Sequence, residues 1–230
     1  ASGLSQEDVA RALNITRPAY KQLETDGREP SMVELNAISE LFGIRVEDLT
    51  SNSSFLQPAI AMTSINGIED GVDKTKYKSL ILYIAGKVGA WPNVGETVLY
   101  KLIYFVETLS YFKKQKTITG ERFYKLQYGP VPASFQMLTR EMINNNELDM
   151  VQGRYFTYMQ TKYLPRIEST GLSPDEKEIV DSIISKLGGE TATSLSNLSH
   201  EDKPWLEADN GGYVDLSLIS KTDPDASKRM

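Results

Sequence analysis

Cysteine is missing from the 230 residues, and histidine occurs once, as His200. Without a thiol the chain forms no disulfide within itself, has no thiolate nucleophile and builds no cysteine zinc site. A single imidazole leaves any Ser-His-Asp relay or histidine metal site to His200 alone. His200 has Glu201 and Asp202 as neighbours, but adjacent positions on a helix do not converge on one ion, so capping or hydrogen bonding is its expected role. Long apolar runs are also lacking: the longest, residues 80–85, is far too short to cross a bilayer. No basic stretch followed by an apolar one opens the sequence, which points to the cytoplasm and to no membrane partner. Positive charge is scarce, 25 Lys and Arg against 31 Asp and Glu for a net −6. That balance argues against non-specific coating of nucleic acid while leaving room for a local basic surface. Phosphate-cradling glycine loops and acidic metal clusters are absent as well, so an enzyme is the least expected class and no cofactor is implied.

What remains is an ordinary globular composition, 40% hydrophobic and 24% charged, in a length that suits one small and one medium domain. Residues 4–50 read as short capped helices with tight joints. Residues 51–73 show no sustained period and carry Ser, Asn, Pro and Gly, as a linker would. From Lys74 the period returns: Tyr77, Leu80, Ile81, Ile84 and Val88 form one helical stripe, closed by Gly89. The helix expected over 96–112 is apolar over so wide an arc that it must be buried on several sides. A strand over 123–128 should stop at the block Tyr128-Gly129-Pro130-Val131-Pro132, because two prolines withhold N–H donors and fix φ. A helix to Asn144 with Phe135, Leu138 and Met142 aligned should follow, then a hairpin of 148–151 and 155–163 turning at Gln152-Gly153-Arg154. Ser173-Pro174-Asp175-Glu176 is a capping box opening a helix that ends at Gly188-Gly189, and a shorter helix runs through Leu195 and Leu198. The expected class is α+β, mostly α-helical: a small N-terminal domain (1–50), a linker (51–73), a larger helical domain with a small antiparallel sheet (74–220), and a tail (221–230).

The N-terminal stretch has the most specific pattern. Ser5 with Asp8 opens one helix, Val9, Ala10 and Leu13 supply its inner face, Asn14-Ile15 turns, and Thr16 caps a second helix to Glu24. Ser31 with Glu34 opens a third carrying Leu35, Ile38, Leu41 and Phe42. Two short helices on a tight joint make a helix-turn-helix. Over residues 4–50 the sequence resembles the Cro and lambda-repressor-like helix-turn-helix family, in Leu4-Ser5-Gln6, Ile15-Thr16-Arg17, Leu23-Glu24, Gly27-Arg28-Glu29-Pro30-Ser31 and Leu41-Phe42-Gly43-Ile44. The resemblance implies that the second helix enters the major groove, with Thr16 at its start, Arg17, Pro18, Ala19, Lys21 and Gln22 towards DNA, and Gln6 and Arg28 near phosphates. Arg17 suits guanine and Gln22 adenine. Two departures stand beside it. The family has a further helix ahead of the Leu-Ser-Gln stretch, for which Ala1-Ser2-Gly3 leave no room, so either the sequence is expected to be a fragment or this half to be incomplete. Residues 1–50 also hold five basic side chains (Arg11, Arg17, Lys21, Arg28, Arg45) against nine acidic ones, so a helical interaction module that does not bind DNA is the competing reading.

In the larger domain, Lys101-Leu102-Ile103-Tyr104-Phe105, Ile118-Thr119-Gly120-Glu121-Arg122, Tyr128-Gly129-Pro130-Val131-Pro132 and Leu198-Ser199-His200 with Trp205 resemble the Panacea, or SocA-like, antitoxin domain over residues 76–210. That resemblance implies an α+β domain that neutralises a cognate toxin by direct binding. Joined to a helix-turn-helix, it implies a homodimeric repressor of its own operon on operator DNA. A proteolytic adaptor delivering the toxin to a protease, and a stand-alone transcriptional regulator, are the alternatives. Rigid aromatic surface binds with little ordering cost, so toxin contacts are expected at exposed members of Tyr128, Gly129, Pro130, Val131 and Pro132 and on the Tyr100, Tyr104 and Tyr111 face. A scaffold role for the same residues weighs equally.

Overall fold

The computed structural model describes residues 5–24, 30–31, 33–34, 37–38, 71–155 and 158–219. Most of the expected linker, the expected tail, and Arg28, Leu35, Leu41 and Phe42 lie outside these residues. The chain packs as two units, Ala1–Phe55 and Leu56–Met230, and each is taken by itself.

In the first unit, helix α1 (Gln6–Ala12) begins at Ser5, whose hydroxyl accepts the Asp8 N–H while the Asp8 carboxylate accepts the Ser5 N–H at 3.0 Å. Two of the orphan donors of the first turn are thereby satisfied. The helix stops because Asn14 takes a left-handed conformation, φ 54°. Ile15 N–H then reaches back to Ala10 O at 3.0 Å, and Asn14 N–H to Arg11 O at 3.1 Å, the paired bonds of a Schellman ending. Helix α2 (Arg17–Glu24) starts one residue later, with Thr16 Oγ1 accepting the Ala19 N–H at 3.3 Å. Val9, Ala10 and Leu13 are buried; Ala19, Tyr20 and Leu23 on α2 are half-buried. The reciprocal bonds of the third cap form too, Ser31 N–H to Glu34 at 2.7 Å and Glu34 N–H to Ser31 at 3.3 Å, and residues 33–34 and 37–38 are helical.

The second unit is arranged around one helix. α3 (Lys74–Val88), capped by Asp73, and α4 (Glu96–Lys114) come first. Every residue from 98 to 110 of α4 is buried, which agrees with its wide apolar arc, and α3, α6 (Pro174–Leu187), α7 (Ala192–His200) and the strand β2 all pack on it. The α3 stripe Tyr77, Leu80, Ile81, Ile84 and Val88 is buried in full. β1 (Phe123–Leu126), β2 (Gly129–Pro132) and β5 (Tyr213–Val214) form an antiparallel sheet in the order β2-β1-β5. α5 (Phe135–Asn144) leads to the separate hairpin of β3 (Leu148–Tyr155) and β4 (Tyr158–Pro165); α8 (Lys203–Glu207) and a 3-10 turn (Leu216–Leu218) complete the unit. The Ser173 capping box forms as expected and Gly188 caps the end of α6.

Three expectations need correction. The proline block does not stop the strand's ladder but is itself the second strand, with Pro132 opposite Phe123, Val131 opposite Tyr124, Pro130 opposite Lys125 and Gly129 opposite Leu126. Proline is tolerated there because β2 pairs on one side only, so the missing N–H groups fall on its unpaired edge. The β3–β4 hairpin does not turn at Gly153, which pairs with Gln160 inside the ladder. A Cβ on Gly153 would lie 2.7 Å from Lys162 Cδ, so this glycine admits a lysine stem across the strand. His200 neither caps nor accepts a hydrogen bond through Nε2 among the described residues; it stacks on Trp205 with ring centroids 4.0 Å apart.

Candidate functional site

α2 presents polar and basic side chains in the positions expected to meet DNA. Thr16, Arg17, Pro18, Lys21 and Gln22 are exposed, while Ala19 is half-buried. Gln6 lies across the joint: its Nε2 donates to Glu24 at 2.6 Å, and its Oε1 lies 3.4 Å from Arg17 Nε and NH2. The side chain expected near a phosphate therefore also braces the guanidinium at the start of α2 against the helix before it. Arg28 lies outside the described residues.

In the second unit the scattered motif segments meet. Lys101, 1% exposed and in the middle of α4, donates from Nζ to Pro130 O at 3.0 Å. Gly129 sits directly over it with φ +94°, and a Cβ there would lie 2.7 Å from Lys101 Nζ and 2.5 Å from Ser199 Oγ. Glycine is required twice, by the left-handed backbone and by the close approach. His200 follows Ser199 and stacks on Trp205, whose ring carries Lys125 Nζ 4.2 Å from its centroid. Lys125 Nζ in turn donates to Ala208 O at 2.9 Å. Burial pushes the Lys101 ammonium down to about 7, and the His200 imidazolium is disfavoured by burial first and then by the charges of Lys101 and Lys125. The segments Lys101, Gly129-Pro130, Ser199-His200 and Trp205, just over a hundred residues apart at the extremes, thus form one clasp that holds β2 against α4 and α7.

A second clasp uses two buried glutamates. Glu107 on α4 accepts the N–H groups of Ile118 at 2.6 Å and Thr119 at 2.9 Å, and the Thr119 hydroxyl. Glu121 accepts the Ser134 N–H at 3.2 Å and the Arg122 N–H at 2.9 Å. Burial pushes both carboxyls up to about 7, against the pull of these donors. The Ile118–Arg122 motif is therefore a loop gripped from within, joined to the start of α3 by Asp73 N–H to Thr119 O at 2.8 Å. The clasp residues Glu107 and Lys125 were not among the expected site residues, and Lys101 and Glu121 were read only as pieces of a motif. The available signal was charge on a helix, α4, with no solvent face for it.

Of the expected toxin contacts, Tyr100 and Tyr104 are buried at 2% and 0% exposure, as are Gly129, Pro130, Val131 and Pro132. Tyr100 is occupied internally, its hydroxyl accepting from Gln136 at 2.7 Å and its ring edge-on to Phe135. Tyr128, at the turn between β1 and β2, is 37% exposed, and Tyr111 is half-buried near the end of α4. The surface offered by this set is that of Tyr128 and part of Tyr111. Among the described residues no group of His, Asp and Glu is placed to hold a metal ion, and no helix is long and apolar enough to cross a membrane.

The described residues thus form a helix-turn-helix unit and an α+β unit built round one buried helix. Residues 1–49 match the helix-turn-helix family model, and residues 99–206 match that of the antitoxin SocA-like, Panacea domain, in that order along the chain. The second match spans the first clasp from Lys101 to Trp205. No curated protein and no solved structure gives a significant match.

Proposed function

We propose that the chain is a non-enzymatic cytoplasmic antitoxin, which neutralises its toxin by direct binding through the second unit and represses its own operon through the first, as a homodimer on a palindromic operator. The observation that carries this reading is the coincidence of the antitoxin-domain match with the Lys101–Gly129–Ser199–Trp205 clasp, behind a helix-turn-helix match. Arg17 and Gln22 read bases, Lys21 and Gln6 meet phosphates, and Ala19 with Pro18 packs against the groove. Tyr128 and Tyr111 touch the toxin, and the buried members of the same set shape the surface that does so.

Co-expression with the product of the neighbouring open reading frame tests the first half. Growth is restored by the full chain in a protease-deficient host as well as in a normal one, and loss of rescue without the protease would make the chain a delivery adaptor instead. Gel shift on the chain's own promoter tests the second half. Two protected half-sites one helical turn apart are expected of the dimer; no shift at low salt would remove the repressor role.

A further inference from the structure

We propose that the outer edge of β3 is where a second copy of this chain docks, edge to edge and antiparallel, joining two hairpins into one four-stranded sheet. The proposal rests on the homodimer reading above and places the interface within the second unit alone.

The hairpin is held to the body through β4 and left bare along β3. On β4, Lys162 donates from Nζ to Trp91 O at 2.6 Å and Val94 O at 3.1 Å, Gln160 donates to Pro92 O at 2.6 Å, and the buried Tyr163 donates to Glu96. On β3, Met150, Val151 and Gln152 are exposed in succession. Successive residues point to opposite faces of a strand, so both faces of β3 look outward at its middle. Among the described residues no third strand pairs with it, and its ladder with β4 runs unbroken from Leu148 to Tyr155. The outward N–H and C=O groups of such an edge are a template for another strand, which proteins blunt with proline, lysine or a bulge. β2 is blunted by Pro130 and Pro132, whereas β3 has neither proline nor lysine and no bulge. Met150 and Val151, with Met159 across the hairpin, are 54%, 39% and 48% exposed and supply the apolar centre of an interface. Two strands alone make a marginal sheet, and four do not.

The occupant that fits is the chain's own copy. A twofold axis lays two copies of one edge antiparallel, the same patch serving on both sides. With the axis at Val151, that residue faces the partner subunit's Val151, Met150 faces the partner's Gln152, and Asp149 faces the partner's Gly153. No like charges are opposed: Asp149, the one acid on β3, already pairs with Arg166 at 2.8 Å and meets a glycine. The side chains proposed for the toxin, Tyr128 and Tyr111, lie on the β1–β2 turn and on α4, away from the hairpin's own residues.

The chain has no cysteine, so a single introduced thiol reports the axis. Directly opposed residues have Cα atoms about 4.5–5.5 Å apart, within disulfide reach. Val151→Cys should therefore form a covalent dimer with oxidised glutathione, and Met159→Cys, on the strand away from the axis, should not. Sedimentation equilibrium of the full chain should show a dimer whose Kd rises at least about tenfold in Val151→Lys, where two ammoniums meet. Mixing Val151→Lys with Val151→Glu should restore the dimer, and rescue of toxin-inhibited growth by Val151→Lys should be unchanged. A wild type that stays monomeric at every concentration removes the homodimer reading and this proposal with it. A dimer that Val151→Lys leaves intact, or that cross-links no better at 151 than at 159, overturns the proposal and leaves the homodimer reading standing. Rescue lost in Val151→Lys while the dimer persists gives the edge to the toxin and overturns it too.

Discussion

Lys101 and Gly129 are the residues on which the second unit turns, one a cation without water, the other a backbone without room. Substituting Gly129→Ala places a methyl within 2.5 Å of Ser199 Oγ at φ +94°. Strain of this kind costs about 1–3 kcal/mol, before the clash, and should appear as a lower denaturant midpoint with an unchanged slope. Lys101 makes a prediction about pH. Its folded-state value is depressed from 10.5 to about 7, so between about 7 and 10.5 the unfolded chain holds a proton that the folded chain has released. Wild-type stability therefore rises with pH across that window. In Lys101→Met this contribution is gone, and denaturant midpoints at pH 7 and pH 9.5 should move in favour of the wild type as pH increases. A constant difference between the two proteins would show that Lys101 stays charged in the folded state, held by the Pro130 carbonyl.

Among the elements, those governed by local chemistry could be read from the sequence and those governed by distant pairing could not. The Ser5, Ser31 and Ser173 caps, the α3 stripe and the breadth of α4 depend on residues three or four positions apart, and all formed. Ser173→Ala should accordingly lower stability by about 1 kcal/mol, the usual worth of an N-cap, measurable as a reduced thermal midpoint without loss of helix content in the native state. β2 escaped notice because proline excludes a central strand but not an edge, and only the finished sheet decides which it is. β5 is two residues long and exists because Tyr213 meets Tyr124, with rings stacked at 4.5 Å and hydroxyls 2.8 Å apart. A pairing across some ninety positions leaves no periodic trace. The candidate site was legible as motif order, whereas the burial of Tyr100, Tyr104 and the proline block was not. An aromatic stripe looks the same in sequence whether it faces a partner or the interior.

At the scale of the whole chain, two units with separate cores should separate under mutation. Arg17→Ala with Gln22→Ala alters only exposed side chains of α2, and should abolish the promoter shift while leaving toxin rescue intact. Tyr128→Ala should do the reverse: it weakens rescue at an exposed turn while the promoter shift and cooperative unfolding are kept. Any variant that loses both activities together with its cooperative unfolding has damaged a core instead.

The outer edge of β2 has one more consequence, for the lifetime of the protein in solution. Pro130 and Pro132 offer it no donors, and the Pro130 carbonyl is already held by Lys101. A second chain arriving there finds nothing to zip onto, so the three-stranded sheet cannot template its own growth from that side. The protein is thereby kept from polymerising through that edge however long it stays in solution.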